Sequence, residues 1–219
     1  MSRLSFRTAL SRACPSAYVV LCGLGMQCTV PAIALVAAGT ASPEALAAVA
    51  PPKELDFTPS ELRLWRDPES GKHFWYITYD VVNNTGKDQR FAPRIELFVD
   101  DGAVIAQGTD VPSSVTKGIL RYLNNPLVLD HFEVLGEVLQ GKEHAKTGLV
   151  VFPAASLDPT ELTVFVAGLS RETKKEKDPK GERLVTLRKT MRLDYLVPGD
   201  PKPVGTTSYG IVAKEWIFR

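Results

Sequence analysis

The chain has 219 residues, 44% hydrophobic and 23% charged, with 26 Lys and Arg against 25 Asp and Glu for a net charge of +1. That is the composition of an ordinary globular protein, and without a strong net field it argues against nucleic acid as a partner. Cys14, Cys22 and Cys28 are its only cysteines, so the chain beyond them has neither disulfides nor thiolate chemistry.

The N-terminal 50 residues read as an export leader. Arg3, Arg7 and Arg12 precede an apolar, small-residue stretch from Ala17 to Ala50 whose only charge is Glu44. The stretch ends in two Ala-x-Ala triplets, Ala45-Leu46-Ala47 and Ala48-Val49-Ala50. A basic start, an apolar centre and a small-residue exit are what a secretory leader needs. Ala17 to Ala38 approaches the ~20 apolar residues that span a bilayer, but Gly23, Gly25, Gln27 and Pro31 weaken such a helix. The expectation is a signal peptide cut after Ala47 or Ala50, with retention as an N-terminal membrane anchor as the alternative. A lipid anchor fits less well, because Cys22 follows bulky Leu21 and Cys28 follows Gln27. Residues 1–50 are thus the leader and 54–219 the domain, which is exported to the periplasm, the cell surface or the extracellular space.

After Pro51-Pro52-Lys53, Glu61 to Trp65 alternates polar and apolar residues as a half-buried strand does. Asp67 to Lys72 is a turn cluster. His73 to Val82 is the clearest strand, with Trp75, Ile77, Tyr79 and Val81 on one face and Tyr76, Thr78 and Asp80 on the other. Asn83-Asn84-Thr85-Gly86-Lys87 breaks it. Phe91 to Val99 is the next strand, and Asp100-Asp101-Gly102 signals a tight type I′ hairpin back into Ala103 to Ala106. Val115, Ile119 and Tyr122 recur at helical spacing between Pro112-Ser113 and Asn124-Asn125-Pro126, which predicts one short helix within 112–125. Further strands are expected at Phe132 to Leu139, Thr147 to Phe152, Leu162 to Leu169, Leu184 to Val197 and Ile211 to Phe218. Turns or loops fall at Gln140 to Glu143, Pro153 to Pro159, Arg171 to Arg183 and Pro198 to Pro203. About eight short strands and one helix argue for a mainly β fold, an antiparallel Ig-like β-sandwich.

The run Phe74 to Val82, the turn Asn83 to Gly86, the strand Ile95 to Val99 and the Asp100-Asp101-Gly102 hairpin form a recognisable succession. The Gly141-Lys142-Glu143 turn before Thr147-Gly148-Leu149-Val150-Val151-Phe152 extends it. Together they resemble the Ig-like sandwich modules of secreted bacterial proteins of unassigned function, and the chain is similar to exported proteins of planctomycete-like bacteria. The resemblance covers about half of the domain. It implies a fold, and it carries over no catalytic or binding residue.

Few residues invite chemistry. His73, His131 and His144 lack the i, i+2 or i, i+4 spacing of metal ligands. His131 and His144, with Asp130 or Glu133, are the one combination that strand pairing could assemble. Asp100 and Asp101 beside Gly102 lack the acidic series of a calcium loop, and a turn explains them. Asp80 has no partner acid, histidine or nucleophile that sequence can name. No serine sits in Gly-x-Ser-x-Gly, and no phosphate-binding glycine loop occurs. Asn83-Asn84-Thr85 matches a glycosylation acceptor but reads as a turn. Arg171 to Arg183 carries six basic and four acidic residues, including Lys174, Lys175, Lys177 and Lys180, and reads as a solvated loop. Trp65, Trp75 and Trp216 would suit a sugar-stacking platform, but residues so placed on three strands are expected in the core.

No catalytic, cofactor-binding or metal-ligating residue is therefore assigned, and no cofactor is expected. Two functional classes remain. The first is a non-enzymatic binding or assembly module of the cell envelope, with an envelope protein or a glycan as partner and membrane contact only through an uncleaved leader. The second is a secreted hydrolase or carbohydrate-active protein, since sandwiches host many activities.

Overall fold

The computed structural model describes residues 53–99, 102–154, 157, 159–178, 180–198 and 207–219. The expected leader and the Asp100-Asp101 pair lie outside the described residues. The described residues belong to one unit. Among the described residues it holds fourteen strand segments and one helix, with antiparallel pairing in every ladder but one. The fold is mainly β, as expected, but the count of about eight is corrected upward because several strands are broken.

The elements run in order as β1 (Asp56–Pro59), β2 (Leu62–Arg66), β3 (His73–Asn83), β4 (Gln89–Phe91), β5 (Arg94–Val99) and β6 (Val104–Ala106). The helix α1 (Ser113–Leu123) follows, then β7 (Val128–Leu129), β8 (Gly136–Val138), β9 (Gly141–Pro153) and β10 (Glu161–Ala167). The chain closes with β11 (Thr173–Lys177), β12 (Leu184–Leu196), β13 (Ser208–Tyr209) and β14 (Ile211–Phe218). One six-stranded sheet is ordered β13-β2-β3-β9-β7, with β1 also on β3. The other is ordered β11-β12-β10-β5-β6, with β14 also on β12, and β4-β8 forms a separate pair.

The inward faces of both large sheets meet in one core. Leu64, Trp75, Ile77, Tyr79, Val81, Val150 and Phe152 come from the first sheet, and Ile95, Leu97, Leu162, Val164, Val166, Met191, Leu193 and Tyr195 from the second. Period-two spacing delivers each set to one face. Trp75 is only 1% exposed, so the facing expected for β3 is correct on that side.

Its other side differs from the expectation. Tyr76 is 3% exposed, packed with Phe74, Leu149 and Val151 beneath Val115 and Ile119 of α1. The helix thus covers the outer face of the first sheet. It starts at Pro112 and ends at Asn124, whose left-handed φ of 48° places its N–H on the Leu120 carbonyl.

Other corrections have local causes. The strand expected over Phe91 to Val99 breaks at Ala92-Pro93, where proline has no N–H for a ladder. Within Phe132 to Leu139 only β8 is strand, and the residues before it begin as a turn. Gly141 to Glu143, expected to turn, begins β9. The hairpin after β5 is closed by bonds from Gly102 N to Val99 O and from Val99 N to Ala103 O. Gly102 has a φ of 90°, and the type I′ turn expected at Asp100-Asp101-Gly102 lies partly outside the described residues. Lastly, the segment read as a charged loop contains β11. β10 and β11 run along the same β12 partner, separated by a bend at Gly168. There φ is +93° and a Cβ would lie 2.8 Å from the Ala92 carbonyl oxygen, so both conformation and space require glycine. No described helix is long and apolar enough to cross a membrane.

Candidate binding face

β11 and the first residues of β12 project beyond the shared core as a two-stranded arm. All five residues of β11 are exposed, and Leu184 opposite Lys177 is 72% exposed. The turn at its tip is built by Asp178, whose Oδ1 accepts from the Glu182 N–H at 2.8 Å and the Arg183 N–H at 3.3 Å. At its root Lys189 donates to Glu54 at 2.6 Å and to Glu172 at 2.8 Å, and its ammonium lies 5.3 Å from the Trp216 ring centroid. These contacts hold the Glu172 carboxyl below its usual range, chiefly through the Lys189 hydrogen bond. They raise Lys189 in turn.

The arm leads onto the outer face of the second sheet. There Arg94, Glu96, Phe165, Ala167, Arg188, Thr190 and Arg219 line a cavity of about 240 Å³. Glu96 is clamped between two guanidinium groups, Arg94 and Arg219, each at 2.7 Å. Arg219 also stacks on Phe165, 4.2 Å from its ring centroid, a favourable cation–π arrangement. Beside it a depression of about 430 Å³ is lined by Phe98, Glu161, Thr163, Phe165 and Arg192. Arg192 donates to Asp194 at 2.9 Å and to Glu215 at 3.3 Å, and Thr163 donates to the same Asp194 oxygen at 2.8 Å. Fixed charges and half-buried aromatic rings thus share an uncovered surface.

The residues weighed from sequence are dispersed. Asp130 accepts from the N–H groups of Phe132 and Glu133, both at 2.8 Å, while Glu133 accepts from the Asp130 N–H at 3.2 Å. Both carboxylates therefore serve a turn. His131 stacks on Phe132 with ring centroids 3.9 Å apart, and His144 is exposed on β9. His73 lies on β3 opposite Arg66, and burial together with that charge lowers its pKa. Among the described residues no three His, Asp or Glu side chains come together as a metal site.

Asp80 is exposed and accepts from the Thr147 hydroxyl at 2.6 Å. The shallow cleft around it presents the hydroxyls of Thr58, Ser60 and Thr78 and the amide of Asn125. Asn83 is fully buried. Its amide donates to the Lys87 and Val138 carbonyls and its oxygen accepts from Thr85, so it staples the end of β3 to β8. The tryptophans form no platform. Trp75 is in the core, Trp65 packs against Tyr122 at 5.2 Å beside the helix, and Trp216 is 38% exposed on β14. The last two depart from the expected core position. Sequence reasoning missed Arg94, Phe165, Arg188 and Arg219. They are far apart in the chain; the outward phase of β5, β10 and β12 could have linked the first three, and Arg219 joins them only through its backbone bonds to Arg188.

No family model, curated protein or solved structure matches the chain.

Proposed function

We propose that this chain is an exported, non-enzymatic binding or assembly module of the cell envelope, built as an Ig-like β-sandwich of the kind its sequence resembles. The observation that carries this reading is the arm β11–β12. A folded hairpin standing off the core, with β11 exposed along its whole length, contributes little burial and offers a large contact surface. The polar side chains elsewhere support the same reading, because Asp130, Glu133 and Asn83 are spent on turns and staples. Two sheets sharing one core support the sandwich. The leader composition supports delivery to the periplasm, cell surface or exterior, with cleavage or retention as an anchor.

The test compares the full chain with a variant in which residues 173–187 are replaced by an Asn-Gly turn. The native chain should be retained on envelopes of the producing cell, and the trimmed chain should be released while its melting temperature is kept. Equal retention of both overturns the role of the arm. Turnover of a glycoside, ester or peptide that vanishes on one carboxylate or histidine substitution puts the hydrolase reading first. N-terminal sequencing of the exported chain should begin at Ala48 or Pro51, and an intact Met1 or Ser2 terminus in the envelope fraction supports the anchor.

A further inference from the structure

The charges of the arm look interleaved in sequence, yet the strand sorts them. Paired residues of an antiparallel ladder share a face. Arg188 lines the outer cavity together with Thr190, which fixes that side of β12 as outward. Its even-numbered neighbours Thr186 and Leu184 share that side, and they pair with Lys175 and Lys177. Lys174 and Glu176 point to the other side, where they form an ion pair with each other.

The acids of the arm are largely committed elsewhere: Glu176 to Lys174, Asp178 to the tip turn, and Glu172 to Lys189 and Lys53. Lys175, Lys177 and Arg188 have no acidic partner among the described residues. The outward stripe therefore runs Lys177, Lys175, Arg188 and then into the cavity of Arg94 and Arg219. Among the described residues Glu96 is the only acidic side chain lining that cavity, and both of those arginines already hold it.

We infer that this stripe binds an extended acidic polysaccharide, its carboxylates meeting Lys175, Lys177 and Arg188 and one sugar unit entering the cavity over Phe165. The inference rests on the binding-module reading and names its ligand class. Charge complementarity gives the sign. Side chains on one face of a strand recur every two residues, about 7 Å apart, so the stripe presents a regular row of cations to a regularly charged chain. The cavity supplies an aromatic wall, Phe165, beside its guanidinium groups, the mixed chemistry of a sugar acid, while the Thr190 hydroxyl beneath it donates to the Arg188 carbonyl.

An acidic peptide adding as a strand would need a free sheet edge. β11 has such an edge, but the cavity in which the stripe ends does not, since it lies over β10, whose backbone is paired on one side with β5 and on the other with β12. An anionic bilayer would meet Glu161 and Glu215 on the same outer face, and a flat surface does not enter a recess.

The experiment measures binding of the full chain to polygalacturonate, with dextran, poly-glutamate and phosphatidylglycerol vesicles alongside. Polygalacturonate should bind best, and more weakly as salt is raised. Reversing Lys175, Lys177 and Arg188 to Glu together should weaken binding by about tenfold or more, whereas Lys174→Glu should change it by less than about twofold. Should the triple reversal fold poorly, Lys175→Gln with Lys177→Gln gives the same ordering against Lys174→Gln. Equal losses on the two faces overturn the sorted stripe. Dextran binding as tight as polygalacturonate overturns recognition by charge, and tighter binding to poly-glutamate or vesicles overturns the polysaccharide. If polygalacturonate is not bound while the arm still retains the chain on envelopes, this inference fails alone. Loss of both takes the binding-module reading with it.

Discussion

The outer faces of the two sheets are opposites. Over the first sheet Phe74, Tyr76, Leu149 and Val151 lie beneath a helix. Over the second, Arg94, Glu96, Phe98, Thr163, Phe165 and Arg192 line open cavities. The cause is visible in the strands. Phe74-Trp75-Tyr76-Ile77 and Leu149-Val150-Val151-Phe152 are continuous apolar runs, which must be buried on both sides. Arg94-Ile95-Glu96-Leu97 and Met191-Arg192-Leu193-Asp194 alternate, which is how a strand with one wet face reads. A sheet whose central strands run apolar needs a lid, and one whose strands alternate keeps a surface free for contact.

The sharpest way to break this comparison is to truncate an aromatic on each face. Trp75→Ala in the shared core and Tyr76→Ala under the helix should each cost ~3–5 kcal/mol, read from denaturant midpoints. Thr78→Ala, at a half-buried position of the same strand, should cost far less. Phe165→Ala on the open sheet should cost about 1 kcal/mol. If Phe165→Ala matches Tyr76→Ala, the second sheet is covered after all. Ile119→Ala attacks the lid from above and should cost ~2–5 kcal/mol, because Ile119 is fully buried against the sheet.

The same contrast explains what could be read from the sequence. β3 and the helix were legible because their periodicities are local and strong. The burial of Tyr76 was not, because its cover comes from Val115 and Ile119, about forty residues later. Reading Tyr76, Thr78 and Asp80 as one polar face averaged a covered end with an exposed one. β11 was illegible for another reason: Thr-Lys-Lys-Glu-Lys has little strand propensity. Its conformation is imposed by pairing with Leu184 to Arg188, and with it came the sorting of charges that no local pattern announces. β7 and β13, two residues each, carry too little pattern to see. The cavity arginines Arg94 and Arg188 sit in β5 and β12 and Arg219 directly after β14, elements whose order only the fold defines.

A smaller change should strengthen the lid. Gly118 lies within α1 at an ordinary helical φ, and a Cβ there would meet its nearest neighbour, Trp65 Cζ2, at 3.7 Å, an ordinary contact. Gly118→Ala should therefore add about 0.5–1 kcal/mol, by lowering the entropy of the unfolded chain and filling space against Trp65. A raised denaturant midpoint with an unchanged slope is the expected result. A fall would mean that the helix sits closer to the sheet than its contacts imply.

The smallest effect should appear at the root of the arm, and it separates the two regions by what holds them. The lid rests on apolar burial, which is indifferent to acid. The root rests on Lys189 with Glu54 and Glu172. The folded-state pKa of Glu172 lies below its ordinary value, so between the two values the unfolded chain binds more protons and stability rises with pH. The contribution of Glu172 is thus complete above the ordinary glutamate value of about 4.3 and is lost as pH falls through the lowered one. Lys189, raised in the folded state, keeps its contribution up to the ordinary lysine value of about 10.4 and loses it as pH rises through the raised one. Amide exchange, corrected for its intrinsic pH dependence, should therefore accelerate in Thr173–Lys177 on going from neutral pH to below about pH 4, while Phe74–Tyr76 stay protected. Glu172→Gln should remove much of that acceleration by abolishing the titrating group. Equal acceleration in both regions would show that acid unfolds the domain as a whole, and that the arm is not held separately from the covered sheet.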